Sequence, residues 1–495
     1  MPTPEYLKTE RAAEWREALR KTIKNKDRTN IQRVKMPEVD PVIRSRTYDE
    51  VNLGLTLEQA TTESQRCLDC VDPTCISGCP VEINIPKFIK NIERGEVLEA
   101  AKTLKETSAL PAVCGRVCPQ ERQCESKCFY TLKLKKEPVA IGHLERFAAD
   151  YERESGNISV PEIALANNIK IAVVGSGPAG LAFAGDIVKL GYDVTVFEAL
   201  HELGGVLRYG IPEFRLPNNI VDTEIEGLKK MGVKFETNCI VGKTISQEDL
   251  KAEGYQGIFI GSGAGLPNFM NIPGENLNGV MSCNEYLTRI NLMQAADPES
   301  DTPVHIGKNV AVIGGGNTAM DAVRTARRLG AEKAMIVYRR SEEEMPARVE
   351  EVKHAKEEGI EFLTLHNPIR YEGDDLGRVQ RMLLQRMKLG DPDASGRRRP
   401  VEIEGDTRWV DVDEVIVSVG VSPNPLIPQS FSGLDVTNWG TIVVNSDTMQ
   451  TADEEIFAGG DIVRGGATVI LAMGDGRRAA KAMHRHFEKA IKNKE

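Results

Sequence analysis

The sequence predicts an α/β protein: an N-terminal α-helical domain holding two iron–sulfur clusters, followed by two Rossmann-like dinucleotide-binding domains, one split around the other. Three observations predict it. Eight of the ten cysteines fall between Cys67 and Cys128, one dinucleotide fingerprint opens at Gly175, and a second opens at Gly314. A chain of 495 residues suits about three domains. They are placed at 1–160, at 168–281 with 421–495, and at 282–420.

The cysteines read Cys67-x2-Cys70-x4-Cys75-x3-Cys79-Pro80 and, after 34 residues, Cys114-x3-Cys118-Pro119-x4-Cys124-x3-Cys128. Short, irregular spacings let several thiolates converge on one cubic cluster, and a Cys-Pro step ends ferredoxin runs whose last cysteine serves the other cluster. Zinc favours C-x2-C pairs, often with histidine, and no histidine lies in this stretch. Disulfides need an oxidising compartment. The N-terminus has no apolar h-region and no apolar run has membrane-spanning length, so a cytoplasmic location is expected. Two [4Fe–4S] clusters are therefore expected, and spacing alone suggests one run per cluster. A net charge of −10 argues against nucleic-acid and membrane-surface partners, which favour a concentrated basic surface.

Within the first domain, residues 1–50 are charged and partly helical, either packing on the cluster domain or a partner or forming a solvated arm. The stretch LTLEQATTESQRCLDC reads as a helix with a threonine start, delivering Cys67 and Cys70 at its end. Between the cysteine runs, apolar residues at helical spacing interrupted by Gly95 predict a helical hairpin that returns the chain so the runs can meet. A basic stretch, KLKKEP, follows Cys128. The amphipathic helix VAIGHLERFAADYE then carries His143 and Glu145, for which a solvated face is the ordinary reading.

After a linker, ESGNISVPEIALANN, the strand IKIAVVG leads into Gly175-Ser-Gly177-Pro-Ala179-Gly180, a helix, and the strand DVTVFE ending on Glu198. The first glycine makes the tight turn, the second lets backbone approach a pyrophosphate, and the third packs helix on strand. The helix N-terminus faces the phosphates and Glu198 accepts from a ribose. Gly204-Gly205, GIPEFRLP with Arg215, and the glycine-rich strand end from Gly257 to Gly265 suggest a long cofactor, FAD. The second fingerprint is Gly314-Gly-Gly316-Asn317-Thr318-Ala319, with alanine at the third position. Its second strand ends not on an acid but on Arg339-Arg340, which would pair with a 2′-phosphate, so NADP(H) is expected over NAD(H).

Beyond it, EEGIEFLTLHNPI and GRVQRMLLQRMKLG to VEIEGDTRWV predict a small sheet with DPDASGRRRP as a hairpin tip, and VDEVIVSVGVSPNP a buried strand leading back to the flavin domain. In the final stretch Gly460 and Asp461 follow a strand, Asp461 suiting flavin ribityl hydroxyls. A closing helix from near Thr468 would point its N-terminal dipole at the flavin ring. Flavin chemistry calls for no catalytic base.

Taken together, RCLDC…CISGCPVEINIP, LPAVCGRVCPQERQCESKC, GSGPAGL, GGGNTAMD, YRRS and FAGGDIVRGGATVILAMGDGRRAA resemble the small (beta) subunit of NADPH-dependent glutamate synthase, over nearly all residues after about 50. The fold resembles the glutathione-reductase-like flavoproteins with two dinucleotide sites. The same module occurs in the large subunit of NADH-dependent ferredoxin:NADP oxidoreductase and in dihydropyrimidine dehydrogenase, which stand as alternatives. The resemblance implies hydride transfer from NADPH to FAD and single electrons leaving through the clusters. The acceptor would be a large FMN/iron–sulfur subunit that makes glutamate from glutamine and 2-oxoglutarate, or a ferredoxin-type protein, in a hetero-oligomer. A partner is expected because no cysteine follows Met1 for glutaminase work and no residues remain for a barrel of about 250. A thioredoxin-reductase-like enzyme would need a CxxC pair, which Cys239 and Cys283 do not form. A non-enzymatic scaffold sits poorly with two intact fingerprints. The resemblance also implies interleaved ligands: Cys67, Cys70, Cys75 and Cys128 on one cluster, Cys79, Cys118, Cys124 and Glu145 on the other, with Cys114 unliganded.

Overall fold

The computed structural model describes residues 3–492. Its first unit is helical. Thr56 caps Leu57–Gln65 in a reciprocal capping box with Gln59, and this helix sets Cys67 just past its end. The hairpin of Ile85–Glu93 and Val97–Lys105 turns at Gly95, whose φ of +84° a side chain would strain. Pro111–Val117 and Ile141–Ser155 then pack face to face, closely enough that a Cβ on Gly115 would meet the Arg146 backbone nitrogen at 2.5 Å.

Residues 3–50 are no solvated arm. Arg16 and Arg20 pair with the buried Asp69 between the first two cysteines, and Arg28 pairs with Glu93 at 2.7 Å. Arg44 reaches Glu357 and Glu358 in the nucleotide-binding unit at 2.5 and 3.2 Å.

Two five-stranded parallel sheets follow. The first has the order Ile456–Ala458, Tyr255–Ile260, Lys170–Val174, Asp193–Phe197, Lys234–Glu236. Its central strand is covered on both faces, hence the unbroken apolar run IAVV. The second has the order Val280–Ser282, Glu414–Val417, Asn309–Ile313, Lys333–Tyr338, Glu361–Thr364. Val280 therefore already belongs to the second sheet, as does Glu414–Val417. The chain leaves and re-enters the first unit through Leu266–Pro267 and Val421–Ser422, which run side by side, antiparallel.

One expectation needs correction. Glu361–Thr364 joins the parallel sheet instead of the small one, because Leu365 adopts a φ of +57° and turns the chain before His366–Gly373. The small sheet holds His366–Gly373, Val379–Pro392 and Arg398–Asp411, all antiparallel.

A single hydrophobic core runs from the helical unit into the first parallel sheet, joining Phe88, Leu104, Val113 and Leu144 to Val173, Phe183 and Met473. No helix among the described residues is long and apolar enough to cross a membrane.

Candidate functional site

The helical unit sorts its cysteines into two groups. Cys67, Cys70, Cys75 and Cys128 line one cavity with Leu68, Ile89 and Phe129. Burial, then the neighbouring thiols, raise Cys75, and Cys70 is pushed up to about 12 by the same causes. The second group lies deeper. Burial, then the Glu145 carboxylate, push Cys79 up to about 12, and Cys124 is raised by burial and by Glu125, Cys79 and Glu145. Gly78 makes this possible: its ideal Cβ would stand 2.8 Å from the Gln123 carbonyl, so only glycine lets the two runs touch. The runs thus interleave instead of forming one group each.

Glu145 is not on a solvated face. It is 6 % exposed, its Oε1 has no hydrogen-bond partner among the described residues, and burial lifts its carboxyl to about 8. An orphaned carboxylate oxygen beside the Cys79 and Cys124 thiols is costly unless a cation completes it. The donor set fits an iron–sulfur cluster. Cys114 adjoins the same group, but its Sγ donates to Met473 Sδ at 3.4 Å on the closing helix.

That closing helix, Val469–Lys492, joins the second thiol group to the flavin unit. A Cβ on Gly474 would meet the Pro80 carbonyl at 3.0 Å, and Gln123 Nε2 donates to Thr468 Oγ1 at 3.5 Å. Thr468 Oγ1 also accepts from Leu471 N, at 3.4 Å.

The first fingerprint keeps its cradle. Gly175 has a φ of +96° and a Cβ there would strike the Gly261 carbonyl at 2.7 Å, whereas Gly177 has open space above it. Gly180 packs on the Gly175 carbonyl, and a Cβ on Gly205 would stand 2.9 Å from Gly177 Cα. Glu198 accepts from Ser176 N and Oγ at 2.9 and 2.5 Å and from Leu200 N at 2.9 Å, which fixes its carboxylate over the loop. Gly204 N donates to Ser176 Oγ at 2.9 Å. Gly460 packs on Ala179, and burial raises the neighbouring Asp461 to about 6. This loop, with its open glycine, fits an FAD pyrophosphate and ribose.

Arg215 is spoken for elsewhere. Its Nη1 pairs with Asp321 at 2.7 Å and its Nε approaches Glu351 at 3.5 Å, so it braces the two nucleotide units. Arg340 is likewise engaged: its Nη2 pairs with Asp393 at 2.7 Å and its Nε donates to the Arg398 carbonyl at 2.9 Å, pinning the small sheet's tip. That leaves Arg339, exposed at the strand end without an ion-pair partner among the described residues. The second cradle has open space over Gly316, a buried Ala319, and Asn317 Oδ1 accepting from Arg348 N at 2.8 Å; the Thr318 carbonyl accepts from Cys283 Sγ at 3.4 Å. Arg339→Ala is therefore expected to weaken NADPH binding by about 1.5–3 kcal/mol and leave NADH use nearly unchanged. Titrating both nucleotides against the purified protein checks it, and equal losses for both would refute the assignment.

Three residues that shape these sites escaped the sequence reading. Ser176 sits inside the fingerprint. Asp475, fully buried, accepts from Gly460 N at 3.1 Å and from Arg464 Nε at 2.6 Å, so it holds the turn beside Asp461. Arg348 donates to the Arg116 carbonyl at 2.5 Å and to Gln120 Oε1 at 2.7 Å, tying the second nucleotide unit to the loop of Cys118. The run GDGRRAA carried a signal for Asp475, an acid inside a small-residue helix start. Nothing local marked Arg348.

Known proteins place this geometry. Residues 44–157 match the family of dihydropyrimidine dehydrogenase domain II, 4Fe-4S cluster, and residues 169–476 match the family of pyridine nucleotide-disulphide oxidoreductases. The glutamate synthase [NADPH] small chain of Escherichia coli is 36 % identical over 465 residues, covering 93 % of this chain and 98 % of that one. The putative oxidoreductase AegA of the same organism is 37 % identical over 89 % of this chain and 67 % of its own. The fold of Mycobacterium tuberculosis FprA superposes with a TM-score of 0.55 at 20 % identity, over 66 % of this chain and 86 % of that one. The chain thus belongs to the glutamate synthase small-chain family, as an oxidoreductase whose cofactors are FAD, NADP(H) and [4Fe–4S] clusters.

Proposed function

We propose that this chain is the electron-input subunit of a glutamate synthase, passing reducing equivalents from NADPH to a larger FMN-bearing partner that makes glutamate from glutamine and 2-oxoglutarate. Bound FAD would supply the conversion of a two-electron hydride from NADPH into single electrons, and bound [4Fe–4S] clusters the one-electron path onward. The chain's residues supply the sites. Gly177, Glu198 and Asp461 would seat the FAD, with Asp475 and Ser176 holding the loops in place. Gly316, Asn317 and Arg339 would seat the NADPH. Cys79, Cys118, Cys124 and Glu145 would hold the inner cluster, and Cys67, Cys70, Cys75 and Cys128 the outer one. The observation that carries the reading is the inner thiol group, wedged against the helix that closes the flavin unit through Gly474 on Pro80 and Cys114 on Met473. The name "small chain" in the relatives supports a larger partner. Protein purified without oxygen is expected to carry one FAD and about eight irons, and NADPH is expected to bleach its visible absorbance. Stoichiometric zinc with negligible iron would overturn it.

A further inference from the structure

The outer thiol group reaches the surface, and the surface there is unusual. Cys70, Cys75 and Cys128 are half-buried, as is Cys79 of the inner group, whereas Cys114, Cys118 and Cys124 are buried. Around them three large apolar side chains stand out: Val71 is 62 % exposed, and Phe129 and Leu132 are 40 % each. The two loops that carry them are joined, since Thr74 Oγ1 donates to the Lys127 carbonyl at 2.6 Å and Phe129 lines the cavity of the four thiols. Exposed apolar side chains grouped beside a redox-competent site mark an interaction surface rather than chance exposure.

The charge around this apolar centre is the opposite of the chain's. Lys127, Lys133 and Lys135 are exposed and have no ion-pair partner among the described residues, in a protein of net charge −10. Lys136 is exposed as well, its Nζ donating to the Thr29 carbonyl at 2.9 Å. In residues 70–75 and 127–137 the exposed acids are Asp72 and Glu137, fewer than the lysines. The backbone favours the display: Tyr130–Leu134 forms a single π-helical turn closed by Lys135 at a φ of +53°, a conformation glycine or asparagine would take at less cost.

Resting on the proposed function, in which the inner thiol group abuts the flavin unit and the outer one is left to pass electrons on, we propose that Val71, Phe129 and Leu132, ringed by these lysines, form the docking surface for the electron-accepting face of the partner subunit. That face is acidic around its own one-electron centre. Opposite charge steers the encounter and sets orientation, while the apolar centre excludes water where the redox centres approach. The small size of the apolar centre suits an electron-transfer contact.

An acidic ferredoxin serves as the probe of that chemistry, with ferricyanide as a small acceptor that needs no docking. The expected result is NADPH-driven ferredoxin reduction that falls steeply as salt rises from low to physiological strength. The pair Lys133→Glu with Lys135→Glu should cut it at least about tenfold, and Leu132→Ser should also lower it. Iron content, NADPH bleaching and ferricyanide reduction should hold. The milder pair Lys133→Gln with Lys135→Gln should fall between, which separates lost charge from misfolding. Ferredoxin reduction that is absent in wild type, or equal in all variants, overturns the proposal, as does a wild-type dimer in sedimentation that the lysine variants dissolve. Wild-type protein whose absorbance NADPH fails to bleach would instead refute the underlying function.

Discussion

Glu145→Ala is expected to strip the protein of one of its two clusters, taking iron from about eight per chain to about four, while Cys114→Ser retains both. The reason is geometric. Glu145 Oε1 is buried without a partner among the described residues beside Cys79 and Cys124, whereas the Cys114 thiol donates to Met473 Sδ. An oxygen ligand also changes the potential of the cluster it holds, because ligand identity and local charge are the protein's levers on it. Glu145→Cys should therefore keep the iron and shift one set of EPR signals. Full iron in Glu145→Ala together with loss in Cys114→Ser would return the site to an all-cysteine count.

The largest stability effect is expected at Glu358. This buried carboxylate accepts from Arg324 Nε and Nη2 at 3.0 and 2.8 Å, from Arg328 Nη1 at 2.8 Å, and from Arg44 Nε at 3.2 Å. Phe214 lies under the guanidinium of Arg328, 3.8 Å from its ring centroid. Glu358→Gln leaves three buried guanidinium groups short of charge, at a cost of about 3–5 kcal/mol. Thermal unfolding should show it as a fall of several degrees. Since burial opposes but Arg324 and Arg328 outweigh it, the Glu358 carboxyl is held at about 2. A depressed carboxylate stabilises above its unfolded value and loses that contribution as pH falls through the folded one. The wild type should accordingly lose stability between about pH 4 and pH 2, and Glu358→Gln should lose less across that window. A variant that unfolds with the wild type would show that water already satisfies these arginines.

Much of this site was legible because its chemistry is local. The fingerprints at Gly175 and Gly314 and both cysteine runs declare themselves by spacing, since the turn, the helix start and the ligand loops are each built from neighbours in sequence. What escaped was decided by partners far along the chain. Nothing in the sequence marked the pairing of Arg215 with Asp321 and Glu351, or of Arg340 with Asp393. Leu365 gave no warning of its left-handed corner, because leucine rarely takes one. Glu145 taken alone reads as an ordinary helix-surface acid, and only the family resemblance marked it as a ligand; the glycine-mediated approach of two helices buries it.

The shared core also bears on modularity. The linker at 156–168 lies on the surface between helix and strand and invites a cut. Yet Val113 and Leu144 on one side pack into the same interior as Phe183 and Met473 on the other, and Ala112 N donates across the seam to Glu224 at 2.7 Å. Severed there, each half would show water an apolar flank of the sort that drives aggregation. Engineers transplanting the iron–sulfur segment onto another reductase would need to carry the closing helix with it, because the redox wire and its socket were built as one piece.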